Sequence, residues 1–273
     1  MQLTLGSRGD MTVALGLVCS DGVLVASDSM ASNGPVASNA VKVHQFAHQP
    51  IVWTASGSVY VIEETAHQLS ELEKRLGENP QVEALFAEPN LSVIRQNIAT
   101  CLKQTMAQCY GSALPFGVNQ QVTGGHHPFI TDFLVAGYAQ TTPYLLEVAN
   151  DGQVNWHTDV GFYAIGSGGT FAAVAQGLMK HYLEAGPLPL QYGTQLAYRT
   201  IETACDVSSM FVRTPVQLAV VDKNGARVLD HGEIEQLKDE VMGWKQLERD
   251  ALWRMVSDVP VEELETPPSF TGK

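Results

Sequence analysis

A chain of 273 residues with 45% hydrophobic content can fold as one large domain with a substantial core or as two small ones; one domain followed by a tail is expected. The net charge of −13, from 29 acidic against 16 basic residues, opposes nonspecific attraction to nucleic-acid phosphates or anionic lipid, so neither nucleic acid nor membrane is an expected partner. Met1 to Asp10 lack the continuous apolar segment of a secretory signal, and no run of about 18 apolar residues occurs elsewhere, which predicts a soluble cytoplasmic protein.

From Thr12 to Ala26, aliphatic and β-branched residues interrupted by Ser20-Asp21-Gly22 predict two antiparallel strands joined by a tight turn. Asn33-Gly34-Pro35 breaks the pattern before short strands at Ala40 to Phe46 and Ile51 to Ala55. Ser56-Gly57-Ser58 opens a helix to about Leu76, and a second fits Leu91 to Tyr110, each with an apolar stripe at helical spacing. Gly111 to Pro128 reads as a loop. Strands follow at Phe129 to Tyr138, Tyr144 to Val148, Gln153 to His157 and Phe162 to Ile165, then helices at about Thr170 to Ala185 and Leu190 to Cys205. The last strands, Val216 to Val221 and Ala226 to Leu229, flank the turn Lys223-Asn224-Gly225. Strands, two helices, strands, two helices, strands is an order that favours sheets with helices packed outside them over alternating βαβ units. Glu233 to Val256 is charged and helical in pattern; Val259 to Lys273, with three prolines, reads as a mobile tail.

Three segments carry chemistry. Thr12 opens a strand, with Asp28 sixteen residues later and Lys42 fourteen after that. The second is Tyr163-Ala164-Ile165-Gly166-Ser167-Gly168, and the third is Asp206-Val207-Ser208-Ser209. Singly, each also fits an ordinary role: Gly166-Ser167-Gly168 a helix-opening turn, Asp206 and Ser209 a helix end, Asp28 a turn carboxylate, Lys42 a solvated strand residue. Together and in this order they resemble proteasome β subunits and their bacterial relatives, including the ancestral β-subunit (Anbu) type, over Thr12 to about Leu229.

The resemblance implies an α+β fold, a four-layer αββα sandwich of the N-terminal nucleophile (Ntn) hydrolase type, acting as a threonine endopeptidase. The Thr12 hydroxyl would be the nucleophile and its free α-amine, with an ordinary pKa of about 8, the base. Lys42 would tune that pair through its charge and Asp28 would hold the lysine. Ser167, Asp206 and Ser209 would complete the network around the amine. The oxyanion would bind the backbone amide of Ser56, with Gly57 the register alternative, and Thr54 and Met30 would line the pocket for the substrate side chain. Polypeptide substrates, a homo-oligomeric ring and an ATP-dependent unfoldase are the implied partners; no cofactor and no metal is expected.

The sequence departs from the family at Val13, where threonine is common, at Met30, often arginine, and at Met11, where self-processing members carry glycine before the nucleophile. Methionine there suggests that residues 1–11 are a leader or a misassigned start, with translation from Met11 and methionine removal exposing Thr12. A retained segment would leave Thr12 in a peptide bond and inactive. The rival readings are a noncatalytic ring subunit with a blocked Thr12 and an Ntn amidohydrolase or transpeptidase acting on a specific amide. His126-His127 and the other histidines have no paired-ligand spacing. The four cysteines, Cys19, Cys101, Cys109 and Cys205, lack metal or redox spacing and read as inert thiols in a reducing compartment.

Overall fold

The computed structural model describes residues 12–33, 36–78, 91–113, 131–139, 141–166, 168–179, 186–207 and 212–257. In chain order the elements are β1 (Ala14–Val18), β2 (Gly22–Ser27), β3 (Met30–Asn33), β4 (Val36–Asn39), β5 (Val43–Gln45), β6 (Ile51–Gly57), α1 (Val59–Glu78), α2 (Leu91–Ala113), β7 (Thr131–Ala139), β8 (Thr142–Val148), β9 (Val154–Trp156), β10 (Phe162–Ile165), α3 (Gly169–Met179), α4 (Leu190–Val207), β11 (Gln217–Asp222), β12 (Gly225–Val228) and α5 (His231–Ser257). Two five-stranded sheets form, in the orders β10-β1-β2-β11-β12 and β5-β6-β7-β8-β9, with β3 and β4 as a separate pair. Every described pairing is antiparallel.

Strand alternation sorts the apolar residues of the described strands into separate cores. On β2, Leu24 and Ala26 face a cluster with α3, α4 and α5, through residues such as Ala172, Ile201 and Leu237. Val23 and Val25, one residue out of phase, meet Val52, Ala136 and Leu145 of the other sheet. That second sheet turns Trp53, Phe133 and Leu146 to α1 and α2 at Val61, Ile94 and Leu102. Burial on both faces is why β1 and β2 read as nearly continuous apolar runs. Among the described residues, no helix is long and apolar enough to cross a membrane.

The start of α5 is a capping box: Asp230 Oδ1 accepts from Glu233 N at 2.9 Å, and Asp230 N donates to Glu233 Oε2 at 2.9 Å. Further along, Arg199 of α4 donates to both carboxylate oxygens of Glu248 and lies 4.1 Å from the centroid of the Trp244 ring. Planar guanidinium chemistry suits both contacts, tying the charged helix to the core.

The β3–β4 pair was not expected from sequence. Met30-Ala31-Ser32-Asn33 and Val36-Ala37-Ser38-Asn39 lack strand alternation, yet each supplies the other's backbone partners from Met30↔Asn39 to Asn33↔Val36. Residues 111–113, expected in a loop, continue α2, while 114–128 lie outside the described residues, as do 180–185 of the expected helix and the 259–273 tail.

His44 gives the sheet a pH dependence. It stacks on its cross-strand partner Trp53, centroids 4.1 Å apart, and burial lowers its pKa from 6.5 to about 4. Between those values the unfolded chain binds the proton and the folded one does not, so stability falls as pH drops through 6.5. The loss is about 2 kcal/mol at pH 5 and approaches about 3 kcal/mol below pH 4. Urea unfolding at pH 7 and pH 5 is expected to reveal this slope, and His44→Phe, which keeps a stacked ring without the proton, to remove that share of it.

Candidate active site

Thr12 enters the fold between two structural restraints. Ahead of β1, its carbonyl accepts from Gly168 N at 3.0 Å. Its neighbour Val13 is anchored to the end of β2: Val13 O accepts from Ser27 Oγ at 3.1 Å and from Asp28 N at 3.2 Å, and Val13 N donates to Asp28 Oδ1 at 3.2 Å. The turn after β10 closes over the threonine. Gly166 has φ of 86°, and a Cβ there would stand 2.2 Å from Thr12 O and 2.6 Å from Ser56 Oγ. A side chain is therefore excluded both by backbone conformation and by space, and glycine lets the turn touch the threonine backbone.

Lys42 Nζ lies 3.1 Å from Thr12 Oγ1 and 2.9 Å from Asp28 Oδ1. Thr12 and Lys42 are each 5% exposed and Asp28 is wholly buried. The second carboxylate oxygen, Oδ2, accepts from Met30 N at 2.9 Å. Removing two charges from water is tolerable here because the lysine and two backbone amides satisfy the carboxylate. An ammonium only donates, so Thr12 Oγ1 accepts in its contact with Lys42 and its own hydrogen remains available to another acceptor. Positive charge beside an oxygen that is to lose its proton favours that loss.

Cys205 of α4 is a second latent nucleophile in this region. Burial pushes its thiol up to about 12, with the negative charges of Asp28 and Asp206 adding and Lys42 opposing. It stays protonated near neutral pH and is unreactive as a nucleophile. Burial likewise holds the Cys19 thiol at about 12.

Of the residues singled out in the sequence, Thr12, Asp28 and Lys42 meet in one hydrogen-bonded cluster, and Ser56 reaches its edge through the Gly166 turn. Asp206 is exposed in the last turn of α4. Ser167 and Ser209 lie outside the described residues. Met30 is half-buried and meets Asp28 through its backbone. Thr54 is fully buried, on the face of β6 that Val52 turns to the opposite sheet, so it presents no surface, and its Oγ1 has no hydrogen-bond partner among the described residues. Gln217, not singled out in the sequence, touches the segment carrying Lys42. Among the described residues no group of three or more His, Cys, Asp or Glu could hold a metal ion; His126 and His127 lie outside them.

No protein-family model matches the sequence. It is similar to the proteasome subunit beta of Methanocaldococcus fervens, 27% identical over 240 residues that span 84% of this chain and 90% of the relative. It is also similar to the proteasome subunit beta of Methanococcus aeolicus, 26% identical over 233 residues, 84% of this chain and 92% of that one. Among solved structures, Anbu (ancestral beta-subunit) from Yersinia bercovieri superposes with a TM-score of 0.63 at 15% identity, covering 91% of this chain and 98% of that one. An Anbu (Gly-1) mutant from Hyphomicrobium sp. strain MC1 gives a TM-score of 0.63 at 17% identity, covering 90% and 100%. The mixed helices and sheets give this chain the α+β fold of these Anbu structures. In sequence it is proteasome-β-like.

Proposed function

We propose that this chain is a threonine endopeptidase of a proteasome-like assembly, folded as a four-layer αββα sandwich. The observation that carries the reading is the position of Lys42 Nζ, 3.1 Å from Thr12 Oγ1 and 2.9 Å from the buried Asp28 carboxylate. Once the bond between Met11 and Thr12 is absent, the free α-amine of Thr12 takes the hydroxyl proton as Oγ1 bonds to the peptide carbonyl carbon. The tetrahedral oxyanion is held by the Ser56 backbone amide. The amine then gives the proton to the departing nitrogen as the C–N bond breaks, leaving an ester on Oγ1. Water, activated by the same amine, hydrolyses the ester and restores the hydroxyl. Lys42 keeps positive charge beside Oγ1 throughout; Ser167, Asp206 and Ser209 orient the amine, and Met30 belongs to the substrate-side wall.

The similarity to proteasome β subunits supports polypeptide substrates, assembly of identical copies into a ring that encloses the sites, a cytoplasmic setting and an ATP-dependent unfoldase as feeder. Residues 1–11, if retained, give a second reading, a noncatalytic ring subunit in which Thr12 stays blocked. N-terminal sequencing of protein from its native source, followed by digestion of denatured casein, separates the two. A chain beginning at Thr12 that cleaves casein is expected. A chain that retains Met11 supports the second reading, and a free Thr12 without peptide cleavage sinks the protease and leaves an amidohydrolase or transpeptidase.

A further inference from the structure

The lysine of the cluster does not stand on a strand. Ala40, Val41 and Lys42 lie between β4 and β5; Ala40 N still donates to Ser29 O at 2.8 Å, and beyond it no sheet ladder fixes the backbone. One side chain takes that place. Gln217, the first residue of β11, accepts at Oε1 from Lys42 N at 2.8 Å and from Val43 N at 3.3 Å, and its Nε2 donates to Ala40 O at 2.5 Å. Two N–H groups converge on one end of the amide and a carbonyl on the other, so only one orientation of the amide satisfies all three. Across β11, Gln217 is the register partner of Ser27, the residue before Asp28. The amide therefore ties the lysine's backbone to the strand pair that delivers its carboxylate.

We propose that Gln217 is a positioning residue: it sets where the Lys42 backbone starts, and so keeps the ammonium on Thr12 Oγ1. The proposal rests on the reading of Thr12 as nucleophile. Lysine has a flexible four-carbon stem, and a fixed origin limits what that stem can sample. Displacements of about 1 Å in such a group can cost about 10²-fold in rate. Methionine at 217 matches the length of glutamine but offers none of the three bonds. Glutamate keeps both acceptor bonds and sets a carboxylate oxygen against Ala40 O in place of the donor. Gln45, which accepts from Val228 N at 3.0 Å at the far end of β5, supplies a control that anchors the same strand away from the lysine.

The test uses the full chain with Thr12 exposed, a fluorogenic peptide as substrate, and reductive methylation of lysines followed by mass spectrometry. Gln217→Met is expected to lower kcat about 100-fold with KM within about threefold, and to move the acid limb of the pH–rate profile upward, because the amine loses the nearby positive charge that lowered its pKa. Lys42, protected in the wild type at 5% exposure, is expected to methylate at the rate of the surface lysines in Gln217→Met. Gln217→Glu is expected to recover at least about tenfold of the lost kcat, and Gln45→Met to leave kcat, pH limb and Lys42 protection unchanged. Wild-type kcat, pH limb and Lys42 protection in Gln217→Met would overturn the proposal, as would equal effects of Gln45→Met. Methylation is read without catalysis. If the wild type cleaves nothing but Lys42 is released in Gln217→Met, the protease reading fails and the positioning stands; if the wild type cleaves and Lys42 stays protected, the positioning alone fails.

Discussion

Thr12→Ala is expected to abolish peptide cleavage, lowering kcat by at least about 10⁴-fold, because it deletes the only atom through which the substrate is bonded to the enzyme. The same change is expected to cost stability only modestly. Lys42 keeps its bond to Asp28 Oδ1, and the Thr12 carbonyl keeps its bond to Gly168 N, since both groups remain in the variant. What is lost is one side-chain hydrogen bond and a methyl group, together about 2 kcal/mol. Thr12→Ser is the decisive companion. It retains the oxygen but loses the γ-methyl that restricts χ1 of a β-branched residue, and so is expected to retain measurable cleavage, within about 10²-fold of wild type. Serine activity without alanine activity identifies the hydroxyl as the nucleophile. Equal cleavage by all three proteins would mean that a contaminating protease does the work. Acylation of Thr12 by a peptide electrophile, read by mass spectrometry, is expected in the wild type and absent in Thr12→Ala.

The strands that build the core were legible because both their faces are apolar: β1 and β2 leave few alternatives to a buried sheet. The helices were legible by their period; the Asp230–Glu233 pair, which starts α5 through local bonds, was not read from the sequence. The pairing of Thr12, Asp28 and Lys42 came from order and spacing measured against a family pattern. Thr, Asp and Lys are otherwise ordinary residues, and only folding brings Lys42 Nζ across 30 residues to Thr12 Oγ1. Two features had no local signal. β3 and β4 stabilise each other through pairing rather than through their own composition. Gln217 meets Lys42 across 175 residues, and a glutamine at the start of Gln-Leu-Ala-Val-Val-Asp reads as the polar margin of a strand. Thr54, which the family pattern assigns to the pocket, lies by its phase on β6 between the sheets and is fully buried.

Lys42→Met is expected to damage both activity and stability, and the two losses have separate origins. Catalysis loses the positive charge 3.1 Å from Oγ1, and kcat is expected to fall by at least about 10³-fold. Stability falls because Asp28, wholly buried, keeps the amides of Val13 and Met30 but loses its cation. Removing one partner of a buried ion pair typically costs about 3–5 kcal/mol, most of it the penalty of the charge left behind. Asp28→Asn is costly by itself for a related reason, since an amide carries only one acceptor oxygen where the carboxylate accepts at both Oδ1 and Oδ2. The double variant separates the terms. With charge removed from both partners, its destabilisation in urea is expected to be smaller than the sum of the two single changes, by about 1–3 kcal/mol, as coupled neighbours require. Its activity is expected to stay as low as that of Lys42→Met, because neutralising the carboxylate returns no positive charge to Oγ1. Recovery of stability without recovery of cleavage would assign the ion pair to the fold and the ammonium to the chemistry. Additive destabilisation would show instead that Asp28 and Lys42 act independently, and a Lys42→Met protein with wild-type kcat would remove the lysine from the reaction altogether.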